Sequence, residues 1–414
     1  MACETRWNPS HDGRENVLAI AYDPYSAALT AVTMGIDAFE RTRHGGDGLL
    51  DSEGLVPIYL GGDLIRARSY TDWTQIKADL AALDAAADAV TPASRRVFVR
   101  AMLRSLHAAV QLFSGGSLGY AAKITELVGA AAGPVDPVEI ETLRDALEDR
   151  LGRQGIGGST LAERIGRWEA QHALAPAQLE ATFRELMAAG KARTAARIFD
   201  TGDFTMGFNP VRGVPYTARC AFDEGVMDLN VDLAFTRAAL KHLVAHEVYP
   251  GHATQLLLTR ARVLAGSAHP ETLLCTANTV LGCVQEGIAD EGIALVDWCE
   301  DDEDRIYLEL RRLRSAAQTS AAWFLMEGHW EKPAVRDYLR LTAGGQEAWI
   351  EGRLQMAAHP FRGPFIASYW TGARAVSRVF ERISATDYPQ FIDYLYAHAH
   401  SPQSLEMFSA AHAA

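Results

Sequence analysis

Apolar residues recur every three or four positions over most of this chain, and Pro or Gly clusters fall where the pattern stops. Such spacing builds one apolar stripe per helix, so a mainly α fold is predicted. Asp23-Pro24 sets a capping side chain before a proline at the first helical position. The helix "YSAALTAVTMGIDAFERTR" follows, with a stop expected at His44-Gly45-Gly46. Helical patterns resume from Tyr70 to Val90, from Thr91-Pro92 through "ASRRVFVRAMLRSLHAAVQLF", and on both sides of Gly133-Pro134 and of "GIGGS". Between them, "DGLLDSEGLVPIYLGGD" reads as loop. An antiparallel helical array joined by short turns fits this order, and no repeat of fixed period appears.

The texture changes between Thr201 and Asp232, where Gly, Pro, Asn and Asp accumulate. There "YTARCAF" and "VMDLNV" flank Asp223-Glu224-Gly225, the pattern of a β-hairpin. The strand from Val226 to Val231 is expected to offer its edge to an extended substrate or to cover the next helix. That helix, "LAFTRAALKHLVAHE", is expected to be capped by Asp232. Helices return after Pro270, and "CEDDEDR" reads as a solvated turn. With no Gly/Ser or Pro-rich linker, the prediction is a single helical domain over residues 1–414. It comprises a helical N-terminal half (1–200), a loop and hairpin (201–232) and a helical C-terminal half (233–414).

Charged residues at 22% and hydrophobic residues at 48% match ordinary globular proteins. No run reaches the roughly 18 apolar residues a membrane helix needs. The first residues lack an apolar stretch and cleavage site, so the cytoplasm is the expected location. The five cysteines are scattered without Cys-x-x-Cys spacing, which predicts reduced thiols. A net charge of −13 without a basic block argues against nucleic acid, and no segment argues for a membrane.

Within the second half, "LVAHEVYPGH" carries a His-Glu pair whose second histidine comes six residues after the first. Zinc-peptidase helices space their histidines by four, so that both project from one face. Six residues on an unbroken helix leave the side chains about 120° apart and about 9 Å apart along the axis, out of reach of one ion. Pro250 and Gly251 change that outcome. Pro250 has no N–H for the His246 carbonyl, and its ring crowds that carbonyl, while Gly251 adds backbone freedom. The helix must therefore break or bulge between Glu247 and His252, turning His252 back towards His246. A third ligand is sought in "CVQEGIADEGIAL", where Glu286 lies 34 residues past His252 and Asp290 and Glu291 compete. Two neutral imidazoles and a carboxylate suit zinc better than calcium or magnesium.

Together, "HEVYPGH" and the later "EGIA" resemble the bacterial family called domain of unknown function 885, with its His-Glu-x-x-Pro-Gly-His and Glu-Gly-Trp-Ala motifs. The likeness runs from about Tyr216 to Ala375 and is strong at the metal motifs. It implies a mostly helical, gluzincin-like zinc hydrolase with a deep central cleft. Zinc, one ion per chain, would be held by His246, His252 and Glu286, with Glu247 as catalytic base. Two departures stand out. The family's Asp-Thr-Gly-x-His run is missing from "SAAWFLMEGHWEKPAVRDYL", and its Gln-Ala-x-x-Tyr-x-x-Gly pattern survives only as Tyr369-x-x-Gly372.

The expected chemistry is amide hydrolysis in a peptide or peptide-like metabolite, with Glu247 activating a zinc-bound water. Tyr369 is the expected oxyanion donor or, alternatively, a core tyrosine. Tyr249 and His329 are candidate substrate contacts. Arg374 and Arg362 are candidates for a substrate carboxylate. His242, one turn before His246, is a candidate support for it. Two alternatives accompany this expectation: a metal-dependent enzyme of specialised metabolism with non-peptidase chemistry, and a catalytically inactive helical binding protein.

Overall fold

The computed structural model describes residues 22–43, 49–50, 54–214 and 216–409. These pack as two units, each assembled from separated stretches of sequence. The first holds Gly133–Thr254 and Ala289–His359; the second holds Gln255–Ile288 with the described parts of 8–132 and 360–414. The divisions expected at residues 200 and 232 are not where these units part.

The second unit opens with α1 (Pro24–Arg43), where the Asp23 carboxylate accepts from the Tyr25 amide at 3.2 Å. The predicted stop at His44–Gly46 lies outside the described residues, as does Cys3. Inside the stretch expected as loop, Ile58–Tyr59 form a short strand, β1. Helix α2 (Trp73–Ala86) is capped by Asp72, which accepts from the Thr74 and Gln75 amides. In α3 (Ala93–Phe113) the buried residues Phe98, Met102, Leu106, Ala109 and Phe113 trace the stripe that the sequence spacing predicts. The single turn α4 (Tyr120–Lys123) follows.

The first unit begins with α5 (Pro137–Arg153), α6 (Leu161–Gln171) and α7 (Leu179–Arg197), the first two capped by Asp136 and Thr160. Then come β2 (Gly207–Val211), β3 (Ala218–Ala221) and β4 (Val226–Asn230). The predicted hairpin is β3 with β4, paired antiparallel. Its link ends at Gly225, whose φ of +66° favours glycine. β2, not anticipated as a strand, pairs parallel to β4 and makes it the central strand. The expected free edge at Val226–Val231 is therefore corrected, because both sides of β4 are occupied. Phe208 of β2 packs on Phe183 of α7, ring centroids 5.4 Å apart, so this face of the sheet lies on the helices.

Helix α8 (Arg237–Glu247) follows, then α9 (His252–Leu264). The cap of α8 is Thr236, accepting from the Ala239 amide at 3.0 Å; Asp232 instead binds Arg212 and the Gly213 amide. β5 (Leu274–Cys275) pairs with β1 in the second unit, and α10 (Val280–Asp290) comes next. α9 and α10 each run unbroken where the sequence passes from one unit to the other.

The first unit resumes with α11 (Gly292–Leu295), α12 (Asp302–Met326), α13 (Lys332–Ala343) and α14 (Glu347–Ala358). "CEDDEDR" is not a solvated turn. Asp301 caps α12, the acids of its first turn meet the positive end of the helix dipole, and buried Asp304 binds buried Lys241 of α8. The second unit closes with α15 (Ile366–Phe380), α16 (Tyr388–Ala397) and α17 (Pro402–Leu405). No disulfide joins two of the described cysteines. No described helix is long and apolar enough to cross a membrane.

Candidate metal centre

The interruption required by "HEVYPGH" is present. α8 ends at Glu247 and α9 starts at His252, with Val248–Gly251 between them. The Val248 and Tyr249 amides both donate to the Val244 carbonyl, and the Gly251 amide donates to the Ala245 carbonyl at 2.8 Å. The chain thus curls over the end of α8. Thr254, in the first turn of α9, returns a bond from its hydroxyl to the Val248 carbonyl at 2.8 Å. Gly251 serves close approach rather than the backbone freedom expected of it: a Cβ there would stand 1.7 Å from the His246 carbonyl oxygen. From α11, Gly292 abuts Pro250, where an added Cβ would lie 3.1 Å from the ring. As a result the His246 and His252 rings lie 4.8 Å apart at 89°.

His246 is buried and His252 half-buried. Two sets of three side chains each bring one ligand atom per residue within 4.8 Å of the others: His246, His252 and Glu286, and His242, His246 and Asp290. The second set has a different use. His246 Nδ1 lies 3.0 Å from Asp290 Oδ1, and Arg311 Nη2 of α12 donates to the same oxygen at 3.1 Å. Burial pushes the Asp290 carboxyl up, but Arg311 and then His246 outweigh it and hold the group well below the usual carboxylate range. An ionised Asp290 accepting from Nδ1–H leaves the Nε2 lone pair of His246 for an ion. His242 lies in the same pocket, its Nε2 3.5 Å from Asp290 and its ring 5.6 Å from Tyr307. Burial, reinforced by the Arg311 charge, lowers its pKa to about 3, so it is neutral.

Glu286 lies one turn before Asp290 on α10, so the two carboxylates share a helix face. The glycine after it has a structural task. A Cβ on Gly287 would fall 2.2 Å from the Gly372 backbone of α15, and one on Gly372 would fall 1.9 Å from the Cys283 carbonyl of α10. The Glu-Gly-x-Ala and Tyr-x-x-Gly fragments are thus two halves of one backbone-to-backbone helix crossing. Tyr369, three residues before Gly372, is half-buried with its ring 5.7 Å from Phe365. Arg374 stands 5.7 Å over the Trp370 ring, and Arg362 6.0 Å from the Phe365 ring.

Glu247 is the half-buried last residue of α8. Two substrate-contact expectations need correction. Tyr249 is fully buried and its hydroxyl donates to the Phe204 carbonyl, so it belongs to the core beneath the break. His329 is exposed beyond the end of α12, at a φ of +54°. It follows some fifteen helical residues after Arg311, about 22 Å along the axis, which removes it from the His246–Asp290 pair. Arg311 had no local signal in the sequence. The orienting role of Asp290 was foreshadowed only by its four-residue spacing from Glu286.

No family model matches the chain, and no curated protein matches it. Among solved structures it is similar to a candidate lipoprotein of Colwellia psychrerythraea, at a TM-score of 0.54 and 15% identity, covering 82% of this chain and 63% of that one. It is also similar to a candidate lipoprotein of unknown function from Shewanella oneidensis, at a TM-score of 0.50 and 13% identity, covering 81% of this chain and 67% of that one. The chain spans about two thirds of each, and at these identities the likeness is one of fold.

Proposed function

We propose that this chain is a zinc-dependent hydrolase of an amide bond in a peptide or peptide-like metabolite, working in the cytoplasm. The observation that carries the proposal is the meeting of His246 and His252 across the Pro250–Gly251 break, since an ordinary helix would hold these rings apart. The donor set of two neutral imidazoles and the Glu286 carboxylate fits zinc, and Asp290 accounts for the second ring nitrogen of His246. Zinc, when bound, supplies Lewis-acid activation of a carbonyl and acidifies a water. Glu247 takes the proton of the attacking water and passes it to the leaving nitrogen. Tyr369 donates its phenolic hydrogen to the developing oxyanion.

Elemental analysis of purified protein tests the metal: about one equivalent of zinc is expected, and metal-free, folded protein refutes it. Screening against di- and tripeptide libraries tests the substrate class. The exposed position of His329 favours a second reading, in which the same centre serves a specialised metabolite, because no histidine from the end of α12 reaches it. Robust cleavage of unmodified peptides decides against that second reading.

A further inference from the structure

We infer that the second unit carries a separate binding cavity for an organic cation, an amine borne on an aromatic body. A cavity of about 820 Å3, the size of a small-molecule site, is lined by Arg95, Glu271, Gln390, Tyr394, Met407 and Phe408 among others, and by none of the metal-centre residues.

Its charges do not cancel. Arg95 gives Nη2 to Asp23 at 2.7 Å and Nε to Glu271 at 2.8 Å, so one guanidinium faces two carboxylates. Ser26 also donates to Glu271, but a hydroxyl brings no charge. His269 Nδ1 stands 3.9 Å from Asp23, close enough for a protonated imidazole to offset one carboxylate, so the surplus exists while this ring is neutral. On the rim, Asp393 is matched by Arg262. One negative charge is left beside the cavity, shared between Asp23 and the lining residue Glu271, which is only 2% exposed. A surplus charge so shielded from water attracts a cation and repels an anion.

The rest of the wall suits an aromatic amine. Tyr394 gives its hydroxyl to the Ser404 carbonyl at 2.7 Å, and its ring lies 5.3 Å from that of Phe408. The Tyr394 and Phe408 rings and the Met407 thioether line the cavity and supply apolar surface for an aromatic body.

The test is calorimetric titration of the full chain with tryptamine, 3-methylindole and indole-3-acetate, one ring system carrying positive, zero and negative charge. Tryptamine is expected to bind, 3-methylindole at least about tenfold more weakly, and indole-3-acetate not at all. Glu271→Gln removes the surplus charge and should weaken tryptamine binding by about tenfold or more. Because Glu271 is part of a buried network, Gln390→Trp provides a second arm: on the exposed side of α16 it fills the cavity, and should abolish binding with an unchanged melting temperature. The inference is overturned by absence of tryptamine binding, by indole-3-acetate binding as tightly as tryptamine, or by tryptamine binding that survives Gln390→Trp intact.

Discussion

At the centre of the site, single atoms divide the labour. Glu247→Gln keeps the size of the side chain and removes its basicity, so zinc content should stay at the wild-type level while turnover falls about 100- to 10,000-fold. Asp290→Asn keeps an acceptor near His246 Nδ1 but loses the charge that Arg311 and His246 stabilise. Zinc affinity should drop about 10- to 100-fold, read by competition with a chelating dye. That His246, His252 and Glu286 come together was legible in the sequence, because few side-chain types can serve a metal and the Pro-Gly between the histidines marks a break. Arg311 was not, because its bond to Asp290 joins two helices whose packing no local pattern encodes. Tyr249 misled for a related reason: motif membership says nothing about which side of a break a ring takes.

Helices and their crossings explain why certain glycines stand where they do. Gly251→Ala would drive a Cβ into the His246 carbonyl, where only movement of α9 relieves the clash. We expect a loss of roughly 1–3 kcal/mol in urea denaturation, with zinc affinity falling in parallel. Most helices were legible from periodicity, and α3 begins and ends where the sequence indicates. Capping was less so, since Asp232 and Thr236 both suit the position and the backbone path after β4 decides between them. The strand β2 was hidden because its ladder partner, β4, is remote in sequence and its parallel pairing leaves no hairpin signal.

For the whole molecule, acid should be a selective stress. His400 is buried and Nε2 donates to the Tyr394 carbonyl at 2.7 Å. Burial lowers its pKa from 6.5 to about 3. Above 6.5 the group is neutral in both folded and unfolded chains and its contribution is intact. As pH falls from 6.5 towards 3 the unfolded chain gains a proton that the folded chain refuses, and stability is lost across that window. His400→Gln retains a donor and cannot titrate, so its melting temperature should fall less steeply between those limits than that of the wild type. The division into two units was not legible, because each is assembled from stretches that neither linker composition nor charge marks out.

The close fit of Gly251 against the His246 carbonyl also bears on how such breaks between histidines are found in sequences. A pattern search that insists on a four-residue gap between histidines passes over every chain in which a turn has been spliced between them. Allowing any residue in a longer gap would admit unrelated helices in great number. A query that fixes glycine immediately before the second histidine selects for the fold-back itself, and so would gather chains by this local shape rather than by overall identity.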